Sequence, residues 1–255
     1  MSLQRRPPPG NVRRAQSIGG NLRGTITNKA NRVVQFESFG ERAWLLRLER
    51  DRRVTDYASQ PETFVWVDRH GATRRYTPDF IVWLRDGATE IHEVTRSERR
   101  TVAEADRRAP DGLALAPPQK RVERMLAREE EARRVCAERG WRYLVHTERS
   151  LPQGAELANL LALYRYRPSV YACACVAGAA RACLAGGLRV PLPTLVARIA
   201  REVDLPPHDI IPSVCHLLWH GVLDADLHTL LFINGALTPA ARVWLASPQE
   251  AQEAW

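Results

Sequence analysis

Two acidic residues that could act together, Asp79 and Glu93, lie in neighbouring segments with the composition of β-strands. Residues 76–84 and 89–95 are rich in aromatic and β-branched residues, and a short polar loop that ends in Gly87 joins them, which is typical of a β-hairpin. A two-residue turn would place the two acids on opposite faces of the hairpin. A three-residue loop, with Gly87 in the left-handed conformation, would pair residues whose numbers sum to 172, so that Asp79 faces Glu93. The spacing leaves both registers open.

Facing carboxylates favour a particular chemistry. They repel each other unless one of them is protonated or a cation lies between them. Their oxygens suit Mg²⁺ or Mn²⁺, and these ions also bind phosphate oxygens. A third acid, Glu41, lies near the start of the first predicted helix and can complete such a site. The chemistry that this set favours is metal-assisted hydrolysis of a phosphodiester.

Each of the three acids also has a simpler interpretation. Glu41 follows Ser38 by three residues, which is the spacing of an N-terminal capping box. Asp79 follows Pro78 and can cap a turn, and Glu93 can face solvent, as most acidic residues do. The residue types and their spacing do not decide between these interpretations and a metal site.

The elements around these acids predict an α/β domain at residues 32–150. The spacing of apolar residues indicates a helix from Ser38 to about Asp51 and a long helix over about 118–139. Short strands are expected at 33–36, 54–57, 63–67 and 141–146. Strands followed by a long helix and a further strand favour a mixed sheet flanked by helices.

The composition changes beyond this domain. A linker helix is expected at 151–167, residues 168–245 are mostly small and apolar, and 246–255 form a short tail. Three helices and two short strands, at 222–223 and 230–232, form the outline of a mostly helical winged-helix domain. The third of these helices, at about 209–220, contains no Arg or Lys. This composition favours contact with protein over the reading of DNA bases.

Positive charge is concentrated at the N-terminus. The chain of 255 residues has a formal net charge of +8, and its first 36 residues contain seven cations and no acid. These cations are Arg5, Arg6, Arg13, Arg14, Arg23, Lys29 and Arg32. Residues 1–31 are also rich in Pro, Gly and Asn, so we expect a poorly ordered basic arm that binds the DNA backbone. A solvated tail without a ligand is the alternative.

Other features predict a cytoplasmic protein without a membrane partner. No run of 18 apolar residues is present, and the N-terminus lacks the apolar segment of a secretory signal. The five cysteines, an odd and scattered set, fit reduced thiols in that compartment. His216 and His220 have a spacing that can bind zinc, but the sequence offers no further convergent ligand for them.

The order of several short motifs resembles TnsA, the endonuclease subunit of heteromeric cut-and-paste transposases. The motifs lie at 36–41, 54–61, 76–80 and 91–95, and a further similar run lies at 217–227. The resemblance implies a restriction-endonuclease-like fold of the PD-(D/E)XK type with a C-terminal winged-helix domain. It also implies that Glu41, Asp79 and Glu93 are the catalytic carboxylates and that they bind Mg²⁺ or Mn²⁺.

The same resemblance implies a set of partners. The substrate would be double-stranded DNA at the ends of a transposon, where the chain would cut the 5′ ends. A separate DDE transposase subunit would cut the 3′ strands, and an AAA+ ATPase regulator would contact the C-terminal domain. The assembly is expected in a bacterial cytoplasm, where it would be associated with the nucleoid.

Thr95 departs from the family pattern, which has a lysine two residues after the strand glutamate. Threonine has no charge and cannot stabilise the charge that develops on the attacked phosphate. Either the enzyme tolerates this loss, or another cation replaces the lysine, or the site is degenerate and the chain is a DNA-binding assembly factor. Lys120 is the only lysine after residue 29. It falls in the first turn of the predicted long helix and is our first candidate for the replacement.

Overall fold

The computed structural model describes residues 23–68, 71–96 and 118–246, with the backbone alone for 118–121. The chain divides into two compact units. Of the described residues, 23–45 and those between 54 and 151 form the first unit, and 46–53 and 152–246 form the second. Within the described residues, no helix has both the length and the apolar composition needed to cross a membrane.

A four-stranded mixed sheet forms the centre of the first unit. The elements of this unit, in chain order, are β1 (Gly24–Thr27), β2 (Val33–Phe36), α1 (Phe39–Arg50, whose second half belongs to the second unit), β3 (Val54–Ser59), β4 (Phe64–Val67), β5 (Thr73–Tyr76), β6 (Phe80–Leu84), β7 (Thr89–Val94), α2 (Pro118–Glu138) and β8 (Arg142–His146). The sheet order is β3-β6-β7-β8, with β6 antiparallel to β3 and β7, and β7 parallel to β8. Parallel neighbours need a crossover connection, and α2 lies in the connection between β7 and β8.

The sheet is held by a small apolar core. Ile81 of β6 and Ile91 of β7 are paired across the two central strands and are both buried. They pack in one cluster with Ala132 and Cys136 of α2. Burying these apolar side chains removes their surface from water, which is the main favourable term in folding. The long helix is therefore fixed against the same strands that carry Asp79 and Glu93.

Two features of the first unit differ from the sequence prediction. The single strand expected at 76–84 is divided, because Tyr76 ends β5 and β6 begins only at Phe80. Pro78 lies in the gap and has no amide hydrogen to donate to a ladder. In addition, β1 lies within the expected basic arm and pairs with β2 in an antiparallel hairpin. The prediction of poor order is therefore wrong for residues 24–27.

Four α-helices and a three-stranded sheet form most of the second unit. Its elements are α3 (Gly154–Tyr164), a short 3₁₀ helix (Ser169–Tyr171), α4 (Ala174–Cys183), β9 (Val190–Pro191), α5 (Leu192–Val203), α6 (Pro207–Trp219), β10 (Leu223–Ala225), β11 (Phe232–Ile233), β12 (Ala236–Leu237) and β13 (Arg242–Leu245). The sheet order is β10-β13-β9, and β11 pairs separately with β12. Trp219 and Leu160 are among the largest buried side chains of its core.

The two short strands expected at 222–223 and 230–232 do not pair with each other. Instead, β10 pairs with β13 and β11 pairs with β12. The turn between β11 and β12 consists of Asn234 and Gly235, both with positive φ, at 50° and 81°. Asn-Gly is the strongest short hairpin signal, so this turn was readable from the sequence.

Residues 46–53 group with the second unit rather than with the first domain, where the sequence prediction had placed them. Arg47 forms an ion pair with Glu156 of α3. Glu49, which is buried, pairs with Arg167, and the guanidinium of Arg52 donates to the carbonyl oxygen of Gly221. These polar contacts, together with the buried Leu46 in the core of the second unit, join the second half of α1 to that unit.

Candidate active site

The hairpin of β6 and β7 has the register in which paired residue numbers sum to 172. Phe80 pairs with His92 and Ile81 with Ile91. The loop has three residues, because the amide of Leu84 donates to the carbonyl of Ala88, and Gly87 within it has a φ of 88°. This is the left-handed conformation that glycine adopts without a steric penalty. The structure thus selects the register, left open by the spacing, in which position 79 lies opposite position 93.

The carboxyl group of Asp79 is held at the edge of the sheet by a backbone donor. The amide of Val94 donates to its Oδ2 atom at 2.7 Å. Burial raises the pKa of Asp79 well above its ordinary value, and the neighbouring charges of Glu93 and Glu41 raise it further. The three acids are therefore close enough to affect one another, which is the arrangement that a shared cation would stabilise.

Glu93 lies buried between a tyrosine and an arginine. The hydroxyl of Tyr76 donates to its Oε2 atom at 2.5 Å, and a terminal nitrogen of Arg128 donates to Oε1 at 3.0 Å. Burial raises the pKa of Glu93, while the charge of Arg128 and the hydrogen bond from Tyr76 oppose that rise. The Tyr143 hydroxyl lies 3.0 Å from that of Tyr76. Both ends of this carboxylate are thus contacted by polar groups.

Glu41 forms the capping box that its spacing suggested. Its backbone amide donates to Oγ of Ser38 at 3.1 Å, and the Ser38 hydroxyl donates back to Oε1 at 2.9 Å. The amide of Glu37 donates to Oε2 at 2.7 Å. Burial nevertheless raises the pKa of Glu41, and the charge of Glu93 contributes to this. Glu41 therefore caps α1 and also lies within electrostatic reach of the other two acids.

The opposite face of β7 carries a separate polar cluster. The indole nitrogen of Trp44 donates to Nδ1 of the buried His92 at 2.9 Å. Since Nδ1 is an acceptor, the proton of a neutral ring lies on Nε2, which is 3.0 Å from a carboxylate oxygen of Glu90. Arg142 pairs with that same carboxylate at 2.6 Å. This cluster ties β7 to β8 and α1 and leaves Glu93 on the other face.

The remaining predicted site residues are spread more widely. The amide of Thr95 donates to the carbonyl of His146 and continues the ladder between β7 and β8. Lys120 lies in the first turn of α2, and its side chain is outside the described residues. His216 and His220, considered for zinc, each donate to a backbone carbonyl, that of Tyr166 or Arg167.

The predicted DNA-binding residues fall into two groups. Arg5, Arg6, Arg13 and Arg14 lie outside the described residues, and Arg23 is the first residue that the structure describes. Lys29 donates to the carbonyl of Val54 at 2.9 Å, and Arg32 forms an ion pair with Asp56. The last two cations thus contact the first unit itself.

Arg128 and Tyr76 are the residues that sequence reasoning missed. Arg128 is one of many arginines on α2, and its identity alone carries no signal that it contacts Glu93. Tyr76 lies three residues before Asp79, where we expected a strand residue and no more. Only the packing of α2 on the sheet brings these groups together.

The donor set fits a hard divalent cation by its chemistry. No group of three or more His, Cys, Asp or Glu side chains forms a ready metal cluster in the part of the chain that the structure describes. Asp79 and Glu93 still provide carboxylate oxygens, which Mg²⁺ and Mn²⁺ prefer. The hydrogen bond from Val94 occupies Oδ2 of Asp79. Asp79 and Glu93, with Glu41 nearby, are therefore the residues that can hold such an ion.

The comparison with known families places this site in a recognised domain. Residues 51–148 match the family model described as TnsA-like endonuclease N terminal. The matched region includes Asp79, Glu93 and Arg128, while Glu41 precedes it. A search of curated proteins found no significant match. The predicted resemblance to TnsA is confirmed by this match, which shows that residues 51–148 are similar to TnsA-like endonuclease N-terminal domains.

Proposed function

We propose that the chain is a metal-dependent DNA endonuclease of the PD-(D/E)XK type and a subunit of a heteromeric cut-and-paste transposase. Its reaction is the hydrolysis of phosphodiester bonds at the 5′ ends of a transposon. The observation that carries this proposal is the register that brings Asp79 opposite Glu93 within a domain of the TnsA-like endonuclease family. The endonuclease family supplies the reaction class, and the paired acids supply residues that fit it.

Asp79, Glu93 and Glu41 are the residues that would hold Mg²⁺ or Mn²⁺. Such an ion would make water a better nucleophile and would offset negative charge on the phosphate. Burial raises the pKa of all three acids. Ionised carboxylates in this place are therefore costly without a cation. The hydrogen bond from Val94 orients Asp79 before any ligand arrives.

The second unit supports the role of a winged-helix module in the assembly. Its order is helix, strand, two helices, strand, hairpin and strand, from α4 to β13, which is the order of that fold. Helix α6 contains no Arg or Lys, so it suits a protein surface better than DNA phosphates.

The proposed partners are a DDE transposase subunit for the 3′ strands and an AAA+ ATPase regulator that contacts this module. Double-stranded transposon ends are the proposed substrate, in the bacterial cytoplasm.

Reconstituted cleavage tests the proposed function. The full chain is mixed with the transposase subunit of the same transposon, duplexes that carry its ends, and Mg²⁺ or Mn²⁺. We expect cuts at the 5′ ends that Asp79→Ala abolishes. Glu123→Gln changes an exposed acid on α2 and is the matched control, which should cut at the wild-type rate. Cleavage that survives Asp79→Ala would contradict the assignment.

Thr95 favours a second function, that of a catalytically degenerate, DNA-binding assembly factor. The expected lysine is absent at this position, and a site without a cation beside the attacked phosphate would lose much of its rate. In this case the assembly would make no 5′ cut, and Asp79→Ala would leave transposition unchanged. The same experiment therefore separates the two functions.

A further inference from the structure

Arg128 holds a positive charge at the site where Thr95 provides none. Its terminal nitrogen lies 3.0 Å from Oε1 of Glu93. The centre of its guanidinium lies 4.7 Å from the centroid of the Tyr76 ring, within the range of a cation–π contact. Tyr76 in turn donates to the other oxygen of Glu93. The guanidinium is thus held by Glu93 and Tyr76, which are also hydrogen-bonded to each other.

The described residues do not satisfy every donor of this guanidinium, and part of the side chain reaches solvent. Nε of Arg128 is buried and has no hydrogen-bond partner among the described residues, while the side chain as a whole is 34% exposed. A buried donor without an acceptor is costly and uncommon. The exposed part of the same side chain is where a ligand can approach from solvent. Guanidinium groups bind phosphate oxygens well because their donors match the geometry of the phosphate.

We infer that Arg128 takes the place of the missing strand lysine and donates to an oxygen of the phosphate that is cut. This inference rests on the proposed endonuclease function. Glu93 and Tyr76 act as positioning residues, since they hold the guanidinium on the side of the sheet that carries Asp79. Positive charge placed in advance at the phosphate stabilises the charge that develops in the transition state.

Arg128 differs from a lysine in one chemical respect. A guanidinium stays protonated in proteins, so Arg128 does not take a proton from water. In the hydrolysis, the oxygen of water bonds to phosphorus and the bond from phosphorus to the leaving oxygen breaks. The leaving oxygen gains one proton, and the other proton of the water is released to solvent. Arg128 stabilises charge in this step and transfers no proton.

The position of Arg128 on α2 also distinguishes it from Lys120, our first candidate. The two residues are eight positions apart, which is about 12 Å along a helix axis. Arg128 contacts Glu93 directly, and its charge opposes the rise that burial causes in the pKa of both Asp79 and Glu93. Among the side chains that the structure describes, Arg128 is the cation at the paired acids.

Single-turnover cleavage by the assembled complex tests this inference, with the transposon-end duplex as the probe. We expect Arg128→Ala to reduce the cleavage rate about 10²–10³-fold, with a much smaller change in DNA affinity. Arg124→Ala removes the same charge from an exposed position one turn away and should cut at the wild-type rate. Adding Thr95→Lys to Arg128→Ala should raise the cleavage rate at least tenfold above that of Arg128→Ala alone, since it returns a cation to the strand. Arg128→Gln replaces Arg128→Ala if the alanine variant does not fold.

A binding measurement without DNA gives a second readout. Titration of Mn²⁺ into the full-length chain should show tighter binding for Arg128→Ala than for the wild type, because a positive charge beside Asp79 and Glu93 opposes a second cation. A purely structural role for Arg128 would weaken Mn²⁺ binding and lower the cleavage rate together. Tighter binding with slower cleavage is the combination that a role at the phosphate predicts.

The results separate failure of this inference from failure of the proposed function. If the wild type cuts and Asp79→Ala does not, but Arg128→Ala cuts at the wild-type rate, Arg128 has no role in cleavage and the inference alone is wrong. A large loss in Lys120→Ala with none in Arg128→Ala would return the role to Lys120. If the wild type makes no cut in the complete assembly, the endonuclease function and the inference both fail.

Discussion

The backbone amide of Val94 donates a 2.7 Å hydrogen bond to Oδ2 of Asp79. The bond joins the residue before β6 to the last residue of β7, so it fixes the carboxyl group across from Glu93. A group that is already positioned before its ligand arrives does not have to be reoriented during the reaction. The same position is costly for the folded chain, because burial and two other acids disfavour ionisation of Asp79.

We therefore expect Asp79→Asn to abolish cleavage and to raise thermal stability at neutral pH. The amide oxygen of Asn can still accept from Val94, while the buried charge is removed. For a domain of this size, each 1 kcal/mol gained raises Tm by about 2–4 °C. Thermal unfolding followed by circular dichroism in metal-free buffer measures the effect.

The pH dependence of this stability difference has a definite sign. The folded pKa of Asp79 is raised above the ordinary 3.8, so wild-type stability falls as pH rises from that value toward the folded pKa. The advantage of Asp79→Asn should be largest at pH 7–8 and should shrink as the pH approaches 4. A lower Tm for Asp79→Asn than for the wild type at pH 7.5 would contradict this account.

Local signals predicted much of the first unit and the position of its paired acids. Ser38 and Glu41 have the spacing of a capping box, and α1 begins where that spacing indicates. The apolar spacing beyond Pro118 predicted α2 almost to the residue. Gly87 made the register with facing acids available, although the spacing alone did not choose it. These features depend on residues that are close together in the sequence.

The contacts that complete the site depend on residues that are far apart in the sequence. Arg128 contacts Glu93 across 35 positions, and which face of α2 meets the sheet is decided by the packing of Ala132 and Cys136 against Ile91. Helical periodicity places Arg128 on the same face as Ala132 and Cys136, but it does not show which strand residue the guanidinium meets. Long-range packing, rather than local propensity, placed this cation.

The left-handed residue of the hairpin loop makes a testable contribution to stability. Gly87 has a φ of 88°, and a Cβ added there would meet no atom within 4 Å. We expect Gly87→Ala to lower the free energy of unfolding by about 1–2 kcal/mol through backbone strain alone, as measured by urea denaturation. Gly87→Asn should cost less, because Asn tolerates this conformation better than Ala.

Gly178 provides the matched control for this substitution. It lies in α4, is exposed, and also has open space where a Cβ would be added. Its backbone is helical, so Gly178→Ala should stabilise the chain by about 0.5–1 kcal/mol. Equal effects of the two substitutions would show that the conformation of Gly87 does not decide the cost.

Asn159 is expected to be a main polar determinant of stability in the second unit. Its side-chain amide donates to the carbonyls of Leu227 and Thr229, both at 2.8 Å, and its oxygen accepts from the amide of Leu231 at 2.9 Å. Asn159→Ala would leave these backbone groups without a partner, at about 1–3 kcal/mol for each one that stays buried. We expect a loss of about 3 kcal/mol or more in urea denaturation. Arg181→Ala, at an exposed position of α4, should change stability by less than about 0.5 kcal/mol.

The basic arm should contribute a salt-dependent part of DNA affinity. Deletion of residues 1–22 removes Arg5, Arg6, Arg13 and Arg14 and leaves β1, which begins at Gly24. Each phosphate that is no longer neutralised reduces the slope of log K against log salt by about 0.9, so the four arginines account for a change of up to about 3.6. Fluorescence anisotropy with a labelled duplex at 50–200 mM KCl measures the slope.

Replacing the four arginines by lysine keeps the charge and should keep the slope, whereas replacing them by glutamine should reduce it as the deletion does. Because counterion release depends on charge rather than on residue type, an unchanged slope in the glutamine variant would show that the arm does not bind the DNA backbone.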